Sequence, residues 1–180
     1  VINLESPVRH PLQSLTDWLT IEELRTKEHP KVVLTWAPHP KVLPQAVPNS
    51  FLEWMKIADV DLVLTHPKGY ELPEPFSEGV NYTADQNEAL KGADFVYAKN
   101  WSSYHQYGQN LHQDPEWMIT QKKMKLTREA FFMHCLPVRR NVVVEDAVLD
   151  SPQSVVVQQA GNRVPAAQAV LRHFLEKYMA

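Results

Sequence analysis

Short apolar, β-branched runs at positions 31–36, 61–66, 93–98, 130–135 and 154–158 alternate with segments of helical character. This alternation constrains the fold more than any other feature of the chain. Runs of that length and composition read as strands buried on both faces, the mark of a parallel sheet. Helices are predicted at 11–27, 44–58, 84–90 and 141–149, with a last one at 166–178. In the first of them Leu12, Leu15, Trp18, Leu19 and Leu24 form an apolar stripe, expected to face the core. The expected architecture is α/β: a doubly wound three-layer sandwich around a mainly parallel five-stranded sheet, with right-handed crossovers. A chain of 180 residues that is 44% hydrophobic and 22% charged has the material for one such core.

Composition then removes several function classes. A net charge of -3 without long Lys/Arg runs argues against a nucleic-acid partner, and no stretch is long and apolar enough to span a membrane. The single cysteine, Cys135, rules out an internal disulfide framework and fits a reducing, cytoplasmic setting. No Cys/His spacing suits a metal, and neither a GxGxxG nor a Walker-type phosphate loop occurs, so no metal or cofactor is expected. Fourteen prolines against five glycines predict stiff loops. The chain opens at Val1 in what reads as the end of a strand, which suggests a piece of a longer protein.

The polar clusters fall just after predicted strands or at helix starts. The run 130–135 ends in His134 and Cys135, followed by Leu136, Pro137, Arg139 and Arg140. In open α/β sheets ligands bind at the carboxyl ends of strands, so this cluster reads as an anion or acyl-transfer site; its alternative is a buried core cysteine followed by surface arginines. His134 and Cys135 are adjacent on an extended strand and point to opposite faces, so a direct Cys–His catalytic pair between them is not expected. His10, Pro11 and Gln13 stand at a helix start, with Pro at its opening, where amides and side chains can donate to an anion or carbonyl, or where His10 is simply a solvated cap. His39, between Pro38 and Pro40, is either held toward a substrate or a surface loop residue. Lys99 follows a strand and could hold a carboxylate, or be an ordinary surface lysine.

Taken in order, Arg9-His10-Pro11-Leu12-Gln13, His39, Lys99 and His134-Cys135-Leu136-Pro137 with Arg139 resemble the carbamoyltransferase family, on the ornithine rather than the aspartate side. Thr35 to Pro40, Leu43 to Ser50, Tyr97 to Trp101 and Phe132 to Asn141 resemble its N-acylornithine branch, with succinylated ornithine the favoured substrate. A lysine of the acetylornithine enzymes is replaced here by Val143. The resemblance covers the second half of such an enzyme; the phosphate loop of the first half is missing. It implies a substrate-side domain over 1–165 and a C-terminal helix over 166–180 that packs on the absent carbamoyl phosphate domain. It also implies a homotrimer as the complete enzyme, and inactivity for this half alone.

The residue roles are those the resemblance implies. His10, Pro11, Gln13, Cys135, Leu136 and Arg163 bind carbamoyl phosphate. Among them His10, Gln13, Cys135 and Leu136 act in the transfer. Glu5, His39, Lys99 and Arg139 bind the acylornithine, and Arg140 is structural. Ordinary ornithine carbamoyltransferase is the nearest rival. Outside the family stand a flavodoxin-like binding module and a cysteine-nucleophile hydrolase; the latter requires a reactive thiolate at Cys135.

Overall fold

The computed structural model describes residues 5–106, 109, 111 and 114–178. Strands β1 (Lys31–Trp36), β2 (Asp61–Thr65), β3 (Asn81–Thr83), β4 (Phe95–Lys99) and β5 (Phe131–Met133) form one sheet in the order β3-β2-β1-β4-β5. Every neighbouring pair is parallel, and Val33 of central β1 pairs with Val63 on one side and Val96 on the other. The helices are α1 (Pro11–Leu24), α2 (Ala46–Met55), α3 (Glu74–Ser77), α4 (Gln86–Leu90), α5 (Gln121–Met124), α6 (Asp146–Leu149), α7 (Val156–Gly161) and α8 (Arg163–Tyr178).

Successive strand residues point to opposite faces, and both faces are apolar. Val32, Leu34 and Trp36 pack with Phe95, Tyr97 and Met133 against Ile21 of α1 and Phe51, Leu52 and Met55 of α2. Val33, Val96 and Phe132 pack on the other side with Ala89 and Leu90 of α4 and Val148 of α6. The three-layer α/β sandwich is as expected. From β1 the chain moves outward to β2 and β3, then crosses back through α4 to β4 and β5. The carboxyl ends of β1 and β4 therefore flank a topological switch point, the place where such sheets open a crevice. His39 follows β1 and Lys99 ends β4.

Four local expectations need correction. The run 154–158 is no strand: Phe132 N donates to Gln153 O at 2.8 Å and Val155 N to Phe132 O at 3.0 Å, after which the chain turns into α7. Two sheet bonds hold its start, and the helical turn then buries Gln159 and Asn162; this tertiary demand overrides the β propensity of three consecutive valines. The fifth strand is instead β3, an edge of three residues, too short and polar to show a periodicity.

The predicted helix at 141–149 shortens to α6, because Asn141 takes a positive φ of 56° and its amide donates to Val144 O at 2.7 Å. The face of α1 is also different. Its leucines are only half-buried, whereas Gln13, Ser14, Thr16, Asp17 and Thr20 are buried with Ile21. At the far end α8 starts at Arg163, three residues earlier than the sequence suggested.

Candidate active site

The loop after β5 is set by its own backbone and by Gln159. His134 N donates to Gln159 Oε1 at 2.9 Å, and Leu136 N donates to His134 Nδ1 at 2.9 Å. His134 is therefore an acceptor that shapes the turn. Burial pulls its pKa down to about 3, with the charges of Lys99 and His39 adding, so the ring stays neutral. Leu136 then adopts φ 53°, a left-handed conformation that a branched residue seldom takes, and joins Pro137 through a cis peptide bond. Between them Cys135 is 8% exposed at the edge of the core. Burial pushes its pKa up from the ordinary value, Asp17 adds to the rise, and Lys99, Tyr97 and Arg163 oppose it. The group is a thiol at neutral pH, not a poised thiolate.

Residues from both ends of the chain meet this loop. Pro11 opens α1, and Gln13 lies in its first turn, buried. Arg163, the first residue of α8, donates to Gln13 Oε1 from Nε at 3.1 Å and from Nη2 at 2.7 Å. The same Nη2 lies 3.4 Å from Cys135 O. His10 is anchored by its amide, which donates to Ser50 Oγ at 2.8 Å, and its Nε2 stands 3.8 Å from Glu5.

A second group is cationic. The charges of Lys99, Arg139 and Lys41 all reach His39, whose pKa is lowered chiefly by burial, and the Lys41 amide donates to His39 Nδ1 at 3.1 Å. A groove of about 270 Å³ runs between Pro38, His39 and Pro40 on one side and Pro115, Met118, Asn141 and Val142 on the other. A carboxylate entering here would meet His39 and favour its protonated form. Glu5 instead lines a separate groove of about 460 Å³ with Val42, Leu43 and Pro44.

The structure thus joins Gln13, Arg163 and Cys135 by direct hydrogen bonds and gathers His39, Lys99 and Arg139 in one field. Cys135, which feels both Lys99 and Arg163, stands between the two groups. His10 and Glu5 pair at the rim. Arg140 holds Asp146 at 2.8 Å and Asp150 at 2.7 Å, outside the site, as its structural reading implied.

Sequence reasoning missed the layer beneath. Asp17 Oδ1 accepts from Gln13 Nε2 and from Gln159 Nε2, each at 2.7 Å. The Tyr97 hydroxyl is buried near Asp17 and Cys135 without a hydrogen-bond partner among the described residues, and burial holds its pKa well above the ordinary value. Asn162 Nδ2 donates to Thr20 Oγ1 at 3.0 Å and to Glu23 Oε2 at 2.8 Å. The signal was present: Gln13, Asp17 and Thr20 recur at i, i+4, i+7, a polar stripe as regular as the leucine one.

The family model for "Aspartate/ornithine carbamoyltransferase, Asp/Orn binding domain" matches residues 44–174. The chain belongs to this carbamoyltransferase family. It is 53% identical over 178 residues to the N-succinylornithine carbamoyltransferase of Bacteroides thetaiotaomicron, covering 98% of this chain and 56% of that protein. It is 35% identical over 195 residues to the N-acetylornithine carbamoyltransferase of Xanthomonas campestris pv. campestris, covering 95% of this chain and 56% of that protein. A crystal structure of acetylornithine transcarbamylase complexed with acetylcitrulline superposes with a TM-score of 0.85 at 34% identity, over 95% of this chain and 57% of that one. The chain therefore spans about half the length of the carbamoyltransferases it matches.

Two details distinguish this carbamoyltransferase domain. Val143 is 1% exposed and belongs to the second core cluster, so the position is an apolar packing site here. Cys135 lacks the environment of a cysteine nucleophile. Iodoacetamide at pH 7 is expected to modify it about tenfold or more slowly than free cysteine, given its burial and raised pKa. Modification faster than free cysteine, followed by mass spectrometry, would revive the hydrolase reading.

Proposed function

We propose that this chain is the acylornithine-side half of an enzyme that transfers a carbamoyl group from carbamoyl phosphate to the side-chain amine of N-succinyl-L-ornithine. The products are the N-acylcitrulline and phosphate, a step of arginine biosynthesis. The observation that carries the reading is the meeting of Gln13, Arg163 and the Cys135 loop beside the field of Lys99, His39 and Arg139. One group suits a small polar acyl donor and the other an anionic acceptor.

In this reading the neutral amine attacks the carbonyl carbon, a C–N bond forms, and the tetrahedral oxyanion collapses with loss of phosphate, which can carry off the amine's proton. His10 donates to the developing oxyanion. Gln13 and the Leu136 carbonyl hold the carbamoyl NH2 group, and Arg163 reaches the donor as well. Cys135 aligns the amine and favours loss of its proton, without a covalent acyl-enzyme. Lys99, His39 and Arg139 bind the acylornithine carboxylate region, and Glu5 lies near the substrate backbone.

The acylornithine-side domain runs to residue 165, and the rest of α8 packs on the carbamoyl phosphate domain. In support of the latter, α8 exposes Val164, Leu171, Phe174, Leu175 and Tyr178, and only Ala166 of the helix is buried. The complete enzyme is a cytoplasmic homotrimer that needs no cofactor. Among the described residues no helix is long and apolar enough to cross a membrane.

The test joins this chain to a carbamoyl phosphate domain of the family and assays ornithine, N-acetylornithine and N-succinylornithine side by side. Turnover of succinylornithine alone is the expected result. Turnover of free ornithine would move the chain to the ordinary enzyme, and no turnover with any of the three would favour a binding module.

A further inference from the structure

We infer that Asp17 is a positioning residue: its oxygen Oδ1 fixes the Gln13 amide in the one orientation that turns the amide oxygen to Arg163, and through Gln159 ties that setting to the Cys135 loop. The inference rests on the carbamoyl-transfer reading above for its kinetic consequences, but not for its geometry.

A glutamine amide has a donor end and an acceptor end, and what surrounds it decides which way it points. Gln13 Nε2 donates to Asp17 Oδ1 at 2.7 Å, while Oε1 accepts twice from Arg163, at 2.7 and 3.1 Å. A half-turn of the amide would set acceptor against acceptor at Asp17 and donor against donor at Arg163. Gln159 is fixed in the same manner. Its Nε2 donates to the same Oδ1 at 2.7 Å, and its Oε1 accepts the His134 amide at 2.9 Å. One buried oxygen therefore sets two amides, and these set Arg163 and the backbone entering Cys135.

A purely structural account of Asp17 would make it the clamp between α1 and α7. That clamp exists elsewhere: Thr20 and Glu23 accept from Asn162, and Glu23 accepts from Gln158 at 3.0 Å. Asp17 itself is 0% exposed, an expensive place for a carboxyl group if packing were its only task. Burial raises its pKa to about 7, so it is partly protonated near neutrality. With the proton on Oδ2, Oδ1 still accepts from both amides.

The experiment compares Asp17→Leu, which keeps the branched skeleton but has no acceptor, with Asp17→Asn, which can present an oxygen at the Oδ1 position. In the joined enzyme Asp17→Leu is expected to lower kcat/KM for carbamoyl phosphate by about 30- to 100-fold, the usual cost of a misplaced donor, with the KM for acylornithine unchanged. Asp17→Asn should recover activity to within about fivefold of wild type, and in a Gln13→Ala background Asp17→Leu should cost clearly less than it does beside Gln13, because only the route through Gln159 remains. Equal losses in both backgrounds, or an Asn variant as poor as the Leu one, would overturn the inference.

Side-chain amide exchange by ¹⁵N NMR on the 180-residue chain gives a reading that needs neither turnover nor a variant. Slow exchange at Gln13 and Gln159 in the wild type is expected; exchange at the solvent rate at Gln13 would refute the fixed orientation. A wild-type joined enzyme that turns nothing over, with both amides protected, would sink the functional reading and leave the positioning geometry standing.

Discussion

Replacing Cys135 with alanine in the complete enzyme is expected to lower turnover by about 100-fold or more while shifting stability by only about 1 kcal/mol. The two effects separate because of where the thiol sits. Cys135 lies at the margin of the core, so loss of one sulfur atom removes few packing contacts. Its polar surroundings are different in kind: the buried Tyr97 hydroxyl lies nearby, and the charges of Lys99 and Arg163 reach it from opposite groups of the site. In the proposed reaction, a nucleophilic amine placed among these groups loses its alignment when the thiol goes. Turnover at saturating substrates and the urea midpoint, measured on the same preparation, check the claim. Proportionate losses in both would make Cys135 a core residue.

The stability of the chain should carry two opposed proton linkages. Asp17 has its pKa raised by burial to about 7 in the folded chain, so its contribution to stability is present at low pH and is lost as pH rises from the ordinary carboxylate range toward 7. His134 has its pKa lowered by burial to about 3, so its contribution is present above the ordinary imidazole range and is lost as pH falls from there toward 3. Between roughly pH 4 and 6.5 the two slopes, each about 1.4 kcal/mol per pH unit at most, oppose one another. Asp17→Asn removes one of them. The variant's stability should then rise with pH across that window by up to ~3 kcal/mol relative to wild type, and exceed it above pH 7. Urea unfolding at pH 4.5, 6 and 8 reads the difference; parallel pH curves for the two proteins would show that Asp17 does not titrate as its burial demands.

The sheet was legible in the sequence wherever a strand is buried on both faces. Lys31–Trp36 has the bounds expected, and the other long strands fall within a few residues of them. Edge elements were not: Asn81-Tyr82-Thr83 has no apolar run to betray it, and 154–158 has one that its surroundings turn helical. Motif order picked out residues that the fold brings together: Gln13 and Arg163 with the Cys135 loop, and His39 with the charges of Lys99 and Arg139. It could not find what sits beneath them. Asp17, Tyr97 and Gln159 are joined only by folding, and a reading that ranks helix faces by hydrophobicity turns α1 the wrong way round.

That reversed face of α1 has a consequence for uniqueness. Leucine surfaces tolerate sliding, because one aliphatic contact is much like another. The contacts of Gln13 and Thr20 are not interchangeable in this way, since each polar atom needs its partner in one place. Rolling α1 by a single residue, about 100° of rotation, would break all of them at once and bury unmatched polar atoms. The polar seam therefore acts as a key that admits one rotational setting of the helix, and Pro11 to Gln13 inherit that setting at its mouth.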